Sequence, residues 1–274
     1  MNTTTAVKPR RFFRRGILWI IGLLVGIVIV SAAIKIPTGL AEGTGLSGST
    51  TREPGAGSFR IGTFNIDGGM GLDGVTDLDR TGRCLQQLDF VGMNEVHGDM
   101  FDNQAHVLSQ KLKLPFLYAP VERQWWHESF GNAIFSDMPI EHWRRVVLPH
   151  RWFEPNRNYV LTDARWHERT IHFLTTHIDW KSGGAEQLAI VSDLFLKLPE
   201  PAILMGDLNA PPGDAQIQRL HGTAGVEEAM STILGDQLHR IDWIFLRGLE
   251  TVDAGIVDIG ASDHPAYWAQ VRVR

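Results

Sequence analysis

Short apolar runs that stop on an amide or a carboxylate recur through this chain, and they restrict the fold more than any other feature. Residues 59–66 reach Asn65, 90–95 end on Asn94-Glu95, and 202–206 lead into Asp207-Leu208-Asn209. A strand facing solvent on one side alternates apolar and polar residues. These runs are apolar almost throughout, so both of their faces are covered. Further strands are expected at 131–135, 159–166, 170–178, 241–246 and 266–273, and helices at 81–88, 103–112 and 185–198. In the last of these, Ala185, Leu188, Val191, Leu194 and Leu198 fall near helical spacing. Strands alternating with amphipathic helices give an α/β fold with sheets inside and helices outside. Each strand then delivers its terminal polar group to one edge, where loops can build a cleft.

Ahead of this region the chain changes character. Residues 17–34 are uninterruptedly apolar, about 27 Å long as a helix, near the thickness of a bilayer core. Lys8, Arg10, Arg11, Arg14 and Arg15 precede the run and Lys35 follows it. The positive-inside bias keeps 1–16 as a basic cytoplasmic tail and exports everything after residue 35. The expectation is a single-pass transmembrane anchor at 17–34 in a bacterial-type inner membrane, with a periplasmic or otherwise extracytoplasmic domain. A cleaved signal peptide is the competing reading. Its apolar region spans about 7–15 residues before a small-x-small site, whereas this run is longer and Ser31-Ala32-Ala33 offers poor sites. Residues 35–57 are rich in Gly, Ser, Thr and Pro and read as a flexible linker. No repeat and no second linker interrupts 58–274, which reads as one catalytic domain.

Charge and cysteine narrow the partners. Six of the 26 basic residues and no acid lie in 1–35, which leaves 20 against 31 acids, a net of −11. An exported domain of that charge does not collect nucleic acid by bulk attraction, although a local basic groove would. The one cysteine, Cys84, excludes an internal disulfide and reads as a small packed hydrophobe. No obligate protein partner is evident.

The polar residues at or just beyond strand ends form one set: Asn65, Glu95, His177, Asp207, Asn209, Asp242, Asp263 and His264. Hard oxygen ligands suit Mg2+ or Mn2+, which keep waters and also bind phosphate. Zinc is disfavoured, with no local His-x-x-x-His cluster and no cysteine near these strings. A phosphodiester is anionic and repels hydroxide. Metal and imidazolium charge must offset that repulsion, and a carboxylate must activate the water.

Seven strings carry a resemblance: Thr63-Phe64-Asn65, Asn94-Glu95-Val96, Gly131-Asn132-Ala133-Ile134-Phe135-Ser136, Thr176-His177, Gly206-Asp207-Leu208-Asn209, Arg240-Ile241-Asp242-Trp243-Ile244 and Ser262-Asp263-His264-Pro265. In this order the chain resembles the endonuclease/exonuclease/phosphatase superfamily, with the deoxyribonuclease I-like fold. The resemblance implies a four-layer α/β/β/α sandwich of two packed mixed sheets and metal-dependent cleavage of phosphate esters. It implies Glu95 as principal metal ligand, supported by Asn65, with Asp263 as a further ligand. Asp207 would position or deprotonate the attacking water and Asn209 would orient phosphate or water. His264 would pair with Asp242, which fixes its tautomer and favours its charged form. His177 and His264 would stabilise charge on the phosphoryl oxygens.

Taken singly, each residue has a plainer use. Asn65 could cap a turn, Asp207 and Asn209 could form an Asx-turn, and His177 could be a satisfied core histidine. Asn132, Trp126 and His127 are candidates for substrate contact, with a loop buttress and a packed Trp pair as the alternatives. Asp67 is a candidate for metal or substrate contact and equally a turn residue. Arg157 reads as a solvated loop charge, and Asp179 as structural or exposed. Two departures from the family pattern, Asn94 where Gln is frequent and Asp137 where Arg is usual, argue against the abasic-site repair branch. The leading expectation is a membrane-anchored, extracytoplasmic phosphodiesterase, nuclease-like. A lipid phosphodiesterase or phosphatase, sphingomyelinase-like, is the alternative, and an inactive binding scaffold the minor one.

Overall fold

The computed structural model describes residues 10–33, 35–46, 57–124, 127–150, 156–181, 183–234 and 240–274. The elements, in chain order, are α1 (Arg10–Ala33), β1 (Ile36–Pro37), β2 (Ala41–Leu46), β3 (Ser58–Asn65), α2 (Leu78–Arg83), β4 (Phe90–His97), α3 (Gln104–Leu112), β5 (Phe116–Gln124), β6 (His127–Ser136) and β7 (Ile140–Val147). They continue with β8 (Asn158–Trp166), β9 (Arg169–His177), α4 (Gly184–Lys197), β10 (Ala202–Asp207), α5 (Ala215–His221), β11 (Val226–Glu228), α6 (Ser231–Leu234), β12 (Asp242–Arg247), β13 (Leu249–Val257) and β14 (Ala266–Val273). A short 3-10 turn, Asp67–Gly69, follows β3.

Two seven-stranded sheets face each other, in the orders β1-β5-β6-β4-β3-β14-β13 and β11-β12-β10-β9-β8-β7-β2. Both are mixed: β3 and β4 run parallel in the first, β9 and β10 in the second, and the remaining pairs are antiparallel. Between the sheets lies one core that includes Ile61, Phe90, Ile134, Phe173, Met205 and Ile244. Phe90 and Phe173 stack across it with centroids 3.6 Å apart. A second core, with Phe64, Val91, Leu85 and Leu108, joins the first sheet to α2 and α3. A third, with Leu204, Phe245, Leu188 and Ile217, joins the second sheet to α4 and α5. Successive residues of β4 (Phe90, Val91) and of β10 (Ala202 to Met205) enter different cores, which is why these strands are apolar on both parities.

The parallel pairs put the C-terminal ends of β3, β4, β9 and β10 at one edge of the sandwich. The antiparallel neighbours bring the start of β12 and the 258–265 connection to the same edge.

The N-terminal region departs from expectation in two ways. Residues 35–46 do not run free. β1 pairs with β5 in one sheet and β2 with β7 in the other, so this segment straps both sheets. Lys35 Nζ lies 2.8 Å from Glu122 Oε2, and Thr38 Oγ1 donates to the Pro120 carbonyl at 2.7 Å. The helix α1 begins earlier than the apolar run, at Arg10, and its apolar side chains from Ile17 to Val30 are exposed. Among the described residues no helix is long and apolar enough to cross a membrane. Its first turns carry Arg10, Arg11, Arg14 and Arg15.

Candidate active site

Asp207 Oδ2 is the focus of the edge. It accepts a hydrogen bond from Asn65 Nδ2 at 3.0 Å and lies 3.4 Å from His177 Nε2 and 3.8 Å from His264 Nε2. Asp207 closes β10 and is about 1% exposed. The residue before it must be glycine: Gly206 has φ +141, and a Cβ there would sit 1.9 Å from the Thr176 carbonyl of β9. After it the chain turns. Asp207 Oδ1 accepts from Asn209 N at 2.9 Å, and Asn209 holds φ +46, a left-handed conformation that asparagine tolerates. The Asx-turn and the site are therefore one structure. The Asn209 amide donates to the Ile178 carbonyl at 2.8 Å and lies 3.2 Å from His177 Nε2.

Burial and the neighbouring Asp242 push the Asp207 carboxyl up to about 7, against the opposing pull of His264. Asp242, at the start of β12, faces Asp207 across the β10–β12 ladder. Its Oδ2 lies 2.6 Å from His264 Nδ1. Burial alone would lower the His264 imidazole, but the Asp242 hydrogen bond and the charges of Asp242, Asp207 and Asp263 raise it to about 9. Asp242, His264 and Asp207 thus form a line with a charged imidazolium at its centre.

His177 is different. It is 3% exposed, its Nδ1 has no hydrogen-bond partner, and burial, Arg157 and His264 hold its pKa well below the usual histidine value. It is a neutral ring whose polar contacts are all made by Nε2. The expected imidazolium role therefore falls to His264 alone.

Glu95 stands opposite. Between Met93 and Val96 the β4–β6 ladder gains a residue on β4, and Glu95 adopts φ +57 within that bulge. The bulge aims the carboxylate along the edge, 3.4 Å from Asn65 Nδ2 and 3.8 Å from His177 Nε2, with a quarter of the side chain exposed. Asn65 presents its amide nitrogen to Glu95 and Asp207, because its oxygen accepts from Asp67 N at 3.2 Å. Asp263 is largely exposed, with Oδ1 4.0 Å from His264 Nε2. Asp67 is raised by burial and by Asp263.

The oxygen-rich set fits a hard divalent cation. Glu95, Asp207, Asp67 and Asp263 converge on one edge, and among the described residues the partly exposed Glu95 carboxylate accepts one long hydrogen bond, which leaves acceptor capacity for an ion. Among the described residues, the group able to share an ion most closely is Asp207, Asp242 and His264, with donor atoms within 4.8 Å of one another. In that group His264 Nδ1 and Asp242 Oδ2 are taken by each other and both Asp207 oxygens accept hydrogen bonds, which leaves Asp242 Oδ1, unpartnered among the described residues, as the open carboxylate oxygen.

The remaining candidates are placed as follows. Asn132 is buried, and both ends of its amide bond to protein, Oδ1 accepting from Asn94 at 2.8 Å and Nδ2 donating to Asn158 Oδ1 at 2.7 Å. It buttresses rather than meets substrate. Trp126 lies outside the described residues, and His127 opens β6 beside Gln124. Arg157 is buried, not solvated. Burial lowers its pKa against the pull of Glu95, Asp179, Asp207 and Glu122. Asp179 is likewise buried, with neither carboxylate oxygen hydrogen-bonded.

A residue read as a family departure proves central. Asn94 Oδ1 accepts from Asp207 N at 3.0 Å, while its Nδ2 donates to Asn132 Oδ1 and to the Thr176 carbonyl. Asn158 continues the chain to the Ala119 carbonyl and accepts from Thr176 Oγ1. This amide brace ties β4, β6 and β5 to β8, β9 and β10. A signal existed: an amide inside an otherwise apolar strand must find partners on both ends.

The model of the Endonuclease/Exonuclease/phosphatase family matches residues 62–264. No curated protein sequence matches the chain. Among solved structures, an endonuclease/exonuclease/phosphatase from Beutenbergia cavernae superposes with a TM-score of 0.64 at 21% identity, covering 79% of this chain and 72% of that one. An endonuclease/exonuclease/phosphatase from Bacteroides vulgatus gives 0.63 at 16% identity, covering 79% and 99%. D. rerio TDP2, complexed with single strand DNA product, gives 0.56 at 19% identity, covering 79% and 99%. At these identities the structural likeness is one of fold.

Proposed function

The chain belongs to the endonuclease/exonuclease/phosphatase family, a family of phosphoester hydrolases, and on that premise we propose that it is a membrane-attached, extracytoplasmic phosphodiesterase that uses a divalent metal ion. The observation that carries the reading is the line Asp242–His264–Asp207 with Glu95 across from it. It sets a carboxylate able to take a proton beside an imidazolium able to give one, which is what in-line attack of water on a phosphodiester requires.

Asp207 accepts the proton of the attacking water, and Asn209 orients that water. His264, held charged by Asp242, donates Nε2–H to the phosphoryl group. His177 contributes a neutral polar contact to the same oxygens. Glu95 would hold Mg2+ or Mn2+, with Asp263 and Asp67 at the outer side and Asn65 as the amide that steadies the Glu95 and Asp207 carboxylates. When bound, the ion supplies positive charge that offsets the repulsion between these carboxylates and the substrate.

Membrane attachment is supported by the basic residues that precede the apolar run 17–34 and by the exposed apolar side chains of α1. A nucleic-acid substrate is supported by the DNA product in the D. rerio TDP2 complex. The charge of the exported part argues for substrates other than polyanions.

The test is turnover by the full chain, with Mg2+ and with chelator, of a bis-aryl phosphodiester, plasmid DNA and phosphodiester lipid in vesicles. Asp207→Ala and His264→Ala are assayed beside it. Metal-dependent turnover that both substitutions abolish is expected. Absence of turnover on every substrate, or turnover indifferent to both, would overturn the proposal.

A further inference from the structure

The exposed large apolar side chains of the domain are unevenly distributed. Leu72 and Val75 lie on the loop after β3, Phe101 after β4, Trp180 after β9, and Ile259 on the connection to β14. Ile36, beside Arg123 of β5, lies at the same end of the sheet, and Met70 and Met100 are exposed on the same two loops as Leu72 and Phe101. Phe101 is 91% exposed, Leu72 72% and Trp180 68%. Every one of these positions belongs to the edge that holds Asp207, while Leu40, Ile190, Ile233, Val252 and Ile256 are exposed on the 35–46 segment, α4, α6 and β13. At the opposite edge, the described turns 137–139, 167–168 and 247–249 hold no exposed large apolar side chain. Exposed apolar side chains gathered along one edge in this way mark a surface made to be covered.

Two observations say what covers it. First, α1 reaches the domain at this edge. Lys35, two residues after the helix ends, is tied to Glu122, and Ile36 is strand-paired to Arg123 near the catalytic end of β5. The apolar helix and the apolar rim therefore leave the domain from the same side. Second, the loops 66–77, 98–103, 178–183 and 258–264 carry eight aspartates against one lysine, a set that stays acidic with Asp179 buried, Asp73 paired to Arg80, and Lys35 and Arg123 beside Ile36. Such a rim repels a polyphosphate backbone and anionic lipid, and leaves apolar insertion into a neutral surface as the mode of contact. Trp180, with Lys181 Nζ 5.3 Å from its ring centroid, has the amphipathic make-up that settles at a membrane–water boundary.

We propose that the catalytic edge is a membrane-docking face, seated by Leu72, Val75, Phe101, Trp180, Ile259 and Ile36 on a zwitterionic bilayer, and that the site takes the phosphodiester of a lipid headgroup presented there. The docking stands on the rim itself. The choice of substrate rests on the phosphodiesterase reading above.

The full chain is reconstituted in phosphatidylcholine vesicles with Phe101→Cys carrying an environment-sensitive fluorophore, and brominated lipid is added as quencher. Val252→Cys, exposed on β13 toward the opposite edge, is the control. The native Cys84 stays unlabelled, since it is buried and its thiol is pushed up to about 11. Stronger quenching at 101 than at 252 is expected, and equal quenching would overturn the docking face. The triple variant Leu72→Ser, Phe101→Ser, Trp180→Ser is then assayed on vesicle phosphodiester lipid and on a water-soluble bis-aryl phosphodiester. A loss of roughly tenfold or more on vesicles, with the soluble rate kept, is expected. Equal loss on both, no loss on vesicles, or faster turnover of plasmid DNA than of lipid would overturn the substrate assignment. Failure of the unsubstituted protein on the soluble diester would instead sink the phosphodiesterase reading, while the quenching still decides the docking.

Discussion

His177 and His264 approach the same oxygen, Asp207 Oδ2, at 3.4 and 3.8 Å, yet they carry different charges. His264 retains some exposure and has Asp242 on Nδ1, and its pKa rises to about 9. His177 is buried without any partner on Nδ1, and its pKa falls well below the usual value. Burial opposes charge on both rings, and the second nitrogen's partner decides the outcome. One site thereby holds a cationic ring and a neutral one around a single carboxylate.

The comparison can be broken first at its shared point. Asp207→Asn removes the proton acceptor and should lower kcat by about 10³–10⁴-fold with a smaller change in KM. Asp242→Asn should then separate the histidines. It removes the group that charges His264 and should cost about 10²–10³-fold in kcat. It should also move the alkaline limb of the pH–rate profile downward. In the unsubstituted protein activity should rise as Asp207 ionises near pH 7 and fall as His264 loses its proton near pH 9, read from kcat/KM across pH. His177→Gln keeps a neutral polar group and should cost about tenfold to a hundredfold in kcat while leaving both limbs in place. A shift of the alkaline limb in that variant would mean that His177, not His264, carries the titrating charge.

Two stability measurements sharpen the same contrast. Asn94→Leu strips partners from Asp207 N–H and Asn132 Oδ1 in the buried brace. It should cost about 2–4 kcal/mol in chemical denaturation, because both groups stay buried. The smallest effect is on pH. Asp207 has a folded pKa above its unfolded one, so the folded state holds a proton that the unfolded chain gives up, and stability falls as pH rises from about 4 through 7. His264 is also raised. Its contribution is full below about 6.5 and is lost as pH climbs through about 9. In chelator, Tm should therefore drop by roughly a few degrees between pH 6 and pH 9, and less in Asp207→Asn.

Much of this was legible from residues alone. The strands ending at Asn65, Glu95, His177 and Asp207 show their apolar character because they are covered on two faces, and β14 falls at the expected 266–273. β5 and β7 went unread for opposite reasons. Phe116–Gln124 carries Pro120 inside it, and Ile140–Val147 is charged because it lies near a sheet edge, beside β2. The 35–46 segment looked like linker because its glycines and threonines signal turns, whereas edge pairing requires only backbone groups.

The sequence by itself determined the layered α/β fold, the family and the roster of polar groups at one edge, since each of those follows from local pattern and order along the chain. Tertiary structure decided which of those groups is charged, which braces and which faces substrate. Asn94, Asn132, Arg157 and His177 are read correctly only when their partners are known, and those partners sit in other strands, 26 to 113 residues away for the hydrogen bonds of Asn94 and Asn132. Periodicity reports burial, but charge and hydrogen bonding depend on what burial places alongside.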